Sequence, residues 1–248
     1  SLTMNTEASA RTLAVTLSVK ETRALLQDVL PVYRTRIDEV LLTALAQAYC
    51  AWAGTTALRI DLEGHGREDI LPDADLSRTV GWFTSIFPVR LELSNTFTPG
   101  DALKSVKEQL RDIPNKGIGY AILRYLAEDS IRQELLARPA AEISFNYLGQ
   151  FDRILPEPSL FDLTRDPAGL EHSPYGQRLY LLDIEGGISG EQLWVNWTYS
   201  ENLHQRSTIE TLAHGFIKAL RGIIAHCQTP GAGGYTPSDF PEAGLAQE

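Results

Sequence analysis

Between Asp38 and Asp69 the hydrophobic period of the chain changes twice, and this change sets the architecture. From Glu39 to Ala53 the apolar residues Val40, Leu41, Ala44, Leu45, Ala48 and Tyr49 recur at helical spacing, Asp38 stands at the N-cap position, and Gly54 ends the run. Thr56-Ala-Leu-Arg-Ile-Asp-Leu62 then alternates with period two, as a half-buried strand does. The alternation runs into Glu63-Gly-His-Gly-Arg-Glu68, where glycines let the backbone turn with no Cβ in the way and allow ionisable side chains to converge on one point. A buried helix, a strand and a charged turn in succession predict an α/β layer with chemistry at a strand end. The plainer reading of such a turn is solvated loop.

The remaining segments fit such a layer. Thr12 to Val19 alternates like a strand, and Ser18 with Glu21 forms a capping box for a helix reaching about Leu30. Phe87 to Leu93 reads as a strand, and Pro88 puts its start at an edge or bulge. After Pro99, an exposed amphipathic helix is predicted over Asp101–Ile113, ending at Pro114, with shorter helices over Ile118–Glu128 and Ile131–Ala137. Glu142–Leu148 reads as a strand closed by Gly149, and Arg178–Glu185 and Gln192–Ser200 as a hairpin turning through Gly186–Gly190. A long helix follows from about Thr208 to Cys227.

Strands and helices that do not alternate strictly predict an α/β sandwich, a mixed sheet with packed helices. The Pro/Gly-rich stretch from Thr229 to Pro241 reads as a linker or extended tail, dividing the chain into 1–228 and 229–248. Lys116-Gly-Ile-Gly119 is too short a glycine pattern to cradle a phosphate.

At 248 residues and 43% hydrophobic content the chain can bury a full core. Its net charge of -10, without a basic stripe, argues against nucleic acid or an anionic membrane as partner. Apolar runs fall short of the ~20 residues of a membrane span. Cys50 and Cys227 sit inside apolar helical patterns, away from metal-ligand spacings, which predicts buried thiols, a cytoplasmic setting and no metal. A start at Ser1 is read as that of a processed or excised piece.

Taken in order, Asp38-Glu-Val-Leu-Leu-Thr-Ala-Leu45, Glu63-Gly-His-Gly-Arg-Glu68, Arg78-Thr-Val-Gly-Trp-Phe-Thr84, Pro114-Asn-Lys-Gly-Ile-Gly-Tyr120 and Phe145-Asn-Tyr-Leu-Gly-Gln-Phe-Asp152 resemble the later motifs of epimerization domains in nonribosomal peptide synthetases. Tyr235-Thr-Pro-Ser-Asp-Phe-Pro241 resembles the segment leading from such a domain toward the next. The same superfamily holds peptide-bond-forming condensation domains, the runner-up reading, and chloramphenicol acetyltransferase-like acyltransferases. The resemblance therefore implies a chloramphenicol acetyltransferase-like α/β sandwich. Members of the family are built as two lobes, and the first carries His-His-x-x-x-Asp-Gly. The histidines here are His65, His172, His204, His214 and His226, none adjacent to another, so the resemblance covers the C-terminal lobe only and implies that the lobe alone is inactive.

The resemblance further implies a substrate, an aminoacyl or peptidyl thioester on the phosphopantetheine arm of a carrier protein, inverted from L to D with no cofactor bound directly. Such a reaction needs a base, an enolate stabiliser and a proton donor on the other face. By the resemblance Glu63 is the acid or base of this lobe, opposite a histidine of the other lobe. His65 reads either as a local acid or as a structural hydrogen-bonder. Asn146 and Tyr147 point to opposite sides of their strand unless it ends there, and the Tyr147 phenol reads either as a donor to the thioester oxygen or as a half-buried strand residue. Arg67 is a candidate substrate contact, with a carboxylate partner as the plainer alternative, and Trp82 is a candidate channel wall or a core aromatic. Partners implied are the carrier protein, the other lobe and neighbouring synthetase domains. The face left by the other lobe predicts self-association, and a docking module without chemistry is the remaining alternative.

Overall fold

The computed structural model describes residues 4–68, 70, 75, 76, 78–93, 98–153, 169 and 172–243. Asp69 of the charged turn and residues 244–248 of the tail lie outside these. The strands are β1 (Ala10–Thr16), β2 (Ala57–Gly64), β3 (Ser85–Glu92), β4 (Ile143–Gln150), β5 (Leu182–Ser189) and β6 (Gln192–Ser200), and the helices are α1 (Val19–Ala24), α2 (Ile37–Ala53), α3 (Pro99–Arg111), α4 (Gly119–Tyr125), α5 (Asp129–Ala137) and α6 (Arg206–Cys227). One mixed sheet of order β1-β6-β5-β4-β2-β3 results, parallel at β2/β4 and β4/β5 and antiparallel elsewhere. Pro88 does sit on an edge strand, where its missing N–H costs no ladder bond.

Strand periodicity decides which side chains are buried. Leu58, Ile60 and Leu62 of β2, Phe87, Val89 and Leu91 of β3, Ile184 and Ile188 of β5 and Val195 and Trp197 of β6 form the core together with α2, α3 and α6. Trp197 meets Phe216 of α6 edge-on, ring centroids 5.7 Å apart, a contact worth about 0.5–1.5 kcal/mol beyond its buried area. The intervening residues Arg59, Asp61, Glu63, Ser144, Asn146, Asp183 and Glu185 fall on the opposite, polar face. No helix among the described residues is long and apolar enough to cross a membrane.

Several local expectations need correction. The N-cap of α2 is Arg36, not Asp38: Glu39 folds back to accept the Arg36 amide at 2.7 Å, leaving Asp38 in the first turn, where it takes the Arg36 guanidinium. β5 begins at Leu182, and Arg178 ahead of it is buried, its guanidinium on Asp183. Gly186 and Gly187 stay within β5. The hairpin turns at Gly190-Glu191, both with φ near +57°, and a two-residue turn of this hand matches the twist of the flanking strands. Ser18 and Glu21 form the expected capping box, and Gly54 ends α2 with φ 65°.

Helix α3 is amphipathic but not exposed. It buries Leu103, Val106 and Lys107 against α2, β3 and the C-terminal segment. Residues 229–243 form turns and two short 3-10 helices, Pro237–Asp239 and Pro241–Ala243, the first of them docked on α3: Thr236 is buried, the Ser238 amide donates to Glu108 Oε2 at 3.0 Å, and Asp239 accepts from Lys107 through both oxygens at 2.8 and 2.7 Å.

Candidate active site

β2 and β4 run parallel, so Gly64 and Gln150 end at the same edge of the sheet. In open α/β sheets, ligand crevices form outside the carboxyl ends of such strands. A cleft of about 520 Å³ opens there, walled by Glu63, Asn146 and Tyr147 from the strand ends, Asp38 from α2, Ile113 after α3, and Lys116. The charged turn is therefore one wall of a cavity and not simply solvated loop. Glu63 itself lies in β2, one residue earlier than a turn position, because the ladder to β3 continues through Gly64↔Ser85.

Of the pair on β4, Asn146 shares the polar face with Glu63 and donates to its Oε2 at 2.6 Å. Tyr147 packs on the core side, yet the strand breaks register just beyond it and the ring also lines the cleft. Burial, aided by the charge of Asp38, pushes the Tyr147 phenol up to about 12, so it is a neutral donor at working pH. Its hydroxyl is buried with no hydrogen-bond partner among the described residues, and such a group normally finds one. Glu63 is exposed at the sheet surface, but crowding of its carboxyl raises its pKa, and the charge of Asp183 adds to the rise. The bond from Asn146 opposes this without reversing it.

His65 is held within its own turn: Nδ1 accepts the Arg67 amide at 3.0 Å and Nε2 faces Glu68 Oε1 at 3.3 Å, with Lys116 Nζ on the other Glu68 oxygen at 2.7 Å. An acceptor at Nδ1 puts the neutral ring's proton on Nε2. The described partners of Arg67 are not carboxylates. Its guanidinium donates to the Leu76 and Gly81 carbonyls and stacks 4.2 Å above the Phe83 ring, fastening the segment that carries Trp82. Trp82 is 91% exposed, so it is no core residue. Val80 beside it, Tyr125 at the end of α4 and Leu126 after it are also exposed.

Two backbone features fix this wall. At Gly66, φ is 63°, and a Cβ would overlap the Phe83 carbonyl oxygen. A Gly66→Ala protein is expected to lose about 2 kcal/mol or more and to show faster amide exchange over 78–84, measurable by urea unfolding and hydrogen exchange. Asn115, Lys116 and Gly117 all have positive φ, and a Cβ at Gly117 would overlap the Phe87 ring. This strained turn carries Lys116 to Glu68.

Sequence reasoning missed Asp183, Tyr180 and Arg178. Tyr180 donates to Asp61 Oδ2 at 2.9 Å, while Asp183 takes the Ser144 hydroxyl at 2.6 Å and the Arg178 guanidinium. Period-two alternation on β5 would have placed Asp183 on the Glu63 face. A second cleft, about 580 Å³, lies beside Trp52, Leu179 and His204, and Glu63, Asn146 and Tyr147 do not line it.

Comparison with known proteins gives a consistent picture. The condensation domain family matches residues 3–245. One component protein of the linear gramicidin synthase of Brevibacillus parabrevis is 54% identical over 244 residues, 98% of this chain and 3% of that protein. Gramicidin S synthase 1 of Brevibacillus brevis is 40% identical over 246 residues, 95% of this chain and 22% of that protein. Among solved structures, the epimerization domain from the third module of tyrocidine synthetase B superposes with a TM-score of 0.82 at 41% identity, over 90% of this chain and 49% of that one. The chain thus spans about half of that solved domain and a small share of the two synthases.

Proposed function

This chain belongs to the condensation domain family, and from that premise we propose that it supplies one half of an epimerization site acting on an aminoacyl or peptidyl thioester carried on the phosphopantetheine arm of a carrier protein. The observation that carries the reading is the pairing, in one cleft, of a carboxyl with a raised pKa and a phenol without a partner: Glu63 and Tyr147. Ionised Glu63 takes the α-proton, and the electron pair moves onto the thioester oxygen as an enolate. Tyr147 donates a hydrogen bond to that oxygen. A donor on the opposite face, supplied by a second lobe, returns a proton to the α-carbon, and Glu63 gives up its own when the site resets. Asn146 orients Glu63, and His65 and Arg67 shape the wall beside it. The likeness to a solved epimerization domain supports this reading over condensation.

Exposed Trp82 and Val80 suit a contact with the carrier or with the second lobe, the tail from 229 onward leads toward a neighbouring domain, and the lobe alone is expected to be inactive and to self-associate at high concentration. The direct test is exchange of the α-proton in D₂O from a carrier-bound aminoacyl thioester, using this chain alone and joined to a lobe bearing the His-His motif. Exchange only in the joined protein supports the reading. Peptide-bond formation without exchange would replace it with condensation.

The pH dependence has a definite sign. Glu63 must be ionised to accept a proton and its pKa is raised, so the competent fraction falls as pH drops through that raised value. The acid limb of the exchange rate is expected above the ordinary glutamate value of about 4.3, and a rate constant down to that value would contradict the assignment.

A further inference from the structure

Two kinds of surface meet in the cleft at the ends of β2 and β4. Glu63 and Asn146 come from the polar face of the sheet, and the core side contributes Leu42 of α2, Leu62 of β2, Phe87 of β3 and Leu110 of α3, with Ile113 and Leu148 beside them. The first four are buried and show the cavity only their edges. Ile113 is partly buried and packed against the core, and Leu148 is 40% exposed. Those two are the apolar groups of the lining with surface left to cover. Both stand where the backbone is irregular. The Ile113 carbonyl accepts the Lys116 amide at 3.2 Å, closing the turn in which Asn115 and Lys116 take φ of 46° and 50°. Residues other than glycine rarely hold that conformation unless their surroundings enforce it. The turn sends Lys116 to Glu68 and leaves Ile113 on the cleft. Leu148 follows Tyr147, just where β4 slips register against β5.

Charge in the cleft is already matched. Arg36 binds Asp38 and Glu39, Lys116 and His65 share Glu68, and Asn146 donates to Glu63, so no charged side chain of the lining is without a partner among the described residues. A substrate side chain that brought its own charge would therefore have to displace one of these partners or be desolvated unmatched, and either is costly. An aliphatic side chain would instead cover Ile113 and Leu148 and gain by it.

We propose that the acyl group inverted at this site carries an uncharged aliphatic side chain, and that Ile113 and Leu148 are the surfaces that select it. The inference rests on the cleft being the site that Glu63 and Tyr147 serve. With the α-proton directed at Glu63 and the thioester oxygen at Tyr147, the nitrogen and the side chain of the substrate remain to be placed. The nitrogen is polar and belongs at the charged rim, which leaves the side chain to the apolar lining.

The test is a ¹³C-methyl NMR titration of this chain with N-acetyl-leucyl pantetheine amide, in which nitrogen replaces the thioester sulfur, the Ile113 δ-methyl signal being identified by its loss in Ile113→Val. That signal is expected to move with a midpoint about 10–10²-fold below the one for the asparaginyl derivative, which has nearly the same shape without the apolar ends. Ile113→Ala, followed on the Leu148 methyls, is expected to weaken the leucyl derivative about tenfold and to leave the asparaginyl derivative little changed. A merely loosened cleft would weaken both alike. Equal midpoints, no shift with either derivative, or tighter binding of a lysyl derivative than of the leucyl one overturns the proposal. Because this readout needs no turnover, its failure leaves the epimerization reading to the α-proton exchange experiment. Selective leucyl binding without exchange in the joined protein would keep the acyl site and remove that chemistry.

Discussion

Replacing Glu63 with Gln in a protein that joins this chain to a second lobe is expected to lower α-proton exchange by about 10²–10⁴-fold, the usual worth of a positioned acid or base. Gln preserves the shape and still accepts from Asn146, which donates to Oε2 at 2.6 Å in the unmodified site, so the cleft should stand. Loss should therefore fall on kcat, with KM for the carrier-bound substrate little changed. The matching Tyr147→Phe variant removes only a hydroxyl, one that is already without a partner, so it should not destabilise the fold. Exchange within tenfold of the unmodified rate in Glu63→Gln would remove Glu63 from the chemistry. Peptide-bond formation that survives the substitution would favour the condensation alternative.

Asp239→Ala is expected to cost about 3–5 kcal/mol of stability, the typical loss when one partner of a buried pair is removed. Lys107 is fully buried, and its three N–H groups are all used, two on Asp239 and one on the Tyr33 carbonyl at 2.8 Å. Taking away the carboxylate strands the ammonium. Arg111 would lose a second contact to the same residue while keeping Glu39 at 2.9 Å. Urea unfolding should show a lower midpoint with an unchanged slope, and the double change Lys107→Met with Asp239→Leu should recover most of the loss, since it leaves no charge buried alone. Acid should act in the same direction. Burial raises the Asp239 pKa, but Lys107, the Thr236 amide and Arg111 together outweigh it, and the net direction is down. The pair's contribution is thus complete above the unfolded value of about 3.9 and is lost as pH falls through the lower folded value. A single variant within 1 kcal/mol of the parent would mean that the tail is not held as described.

How much of this was legible in the sequence depended on whether the signal was periodic. Helix α2 and strands β2, β4 and β6 follow directly from spacing, because burial on one face writes a period into the residues. Expectations slipped at boundaries, where a long-range partner wins over local pattern: Arg178 belongs to an ion pair with Asp183 and not to a strand, and Glu39 displaces Asp38 as the capping group. Glu63, Asn146 and Tyr147 were marked by their motifs, and their convergence needed the parallel β2/β4 pairing, which no local pattern records. The docked tail had one readable trace. Lys107 follows Leu103 by four residues and precedes Leu110 by three, which puts a lysine on the buried stripe of α3 and calls for an anion to meet it.

The pairing of β1 with β6 has a consequence for how the molecule is made. β1 is an edge strand whose ladder partner, β6, comes last in chain order among the described strands of the sheet. At about 5–20 residues per second, its backbone groups wait roughly 10–40 s before they can be satisfied. During that interval Leu13 and Val15 lie open to any other nascent chain that presents a free edge. Synthesis at low temperature or with a chaperone present should therefore raise the soluble yield more than any change to the finished surface.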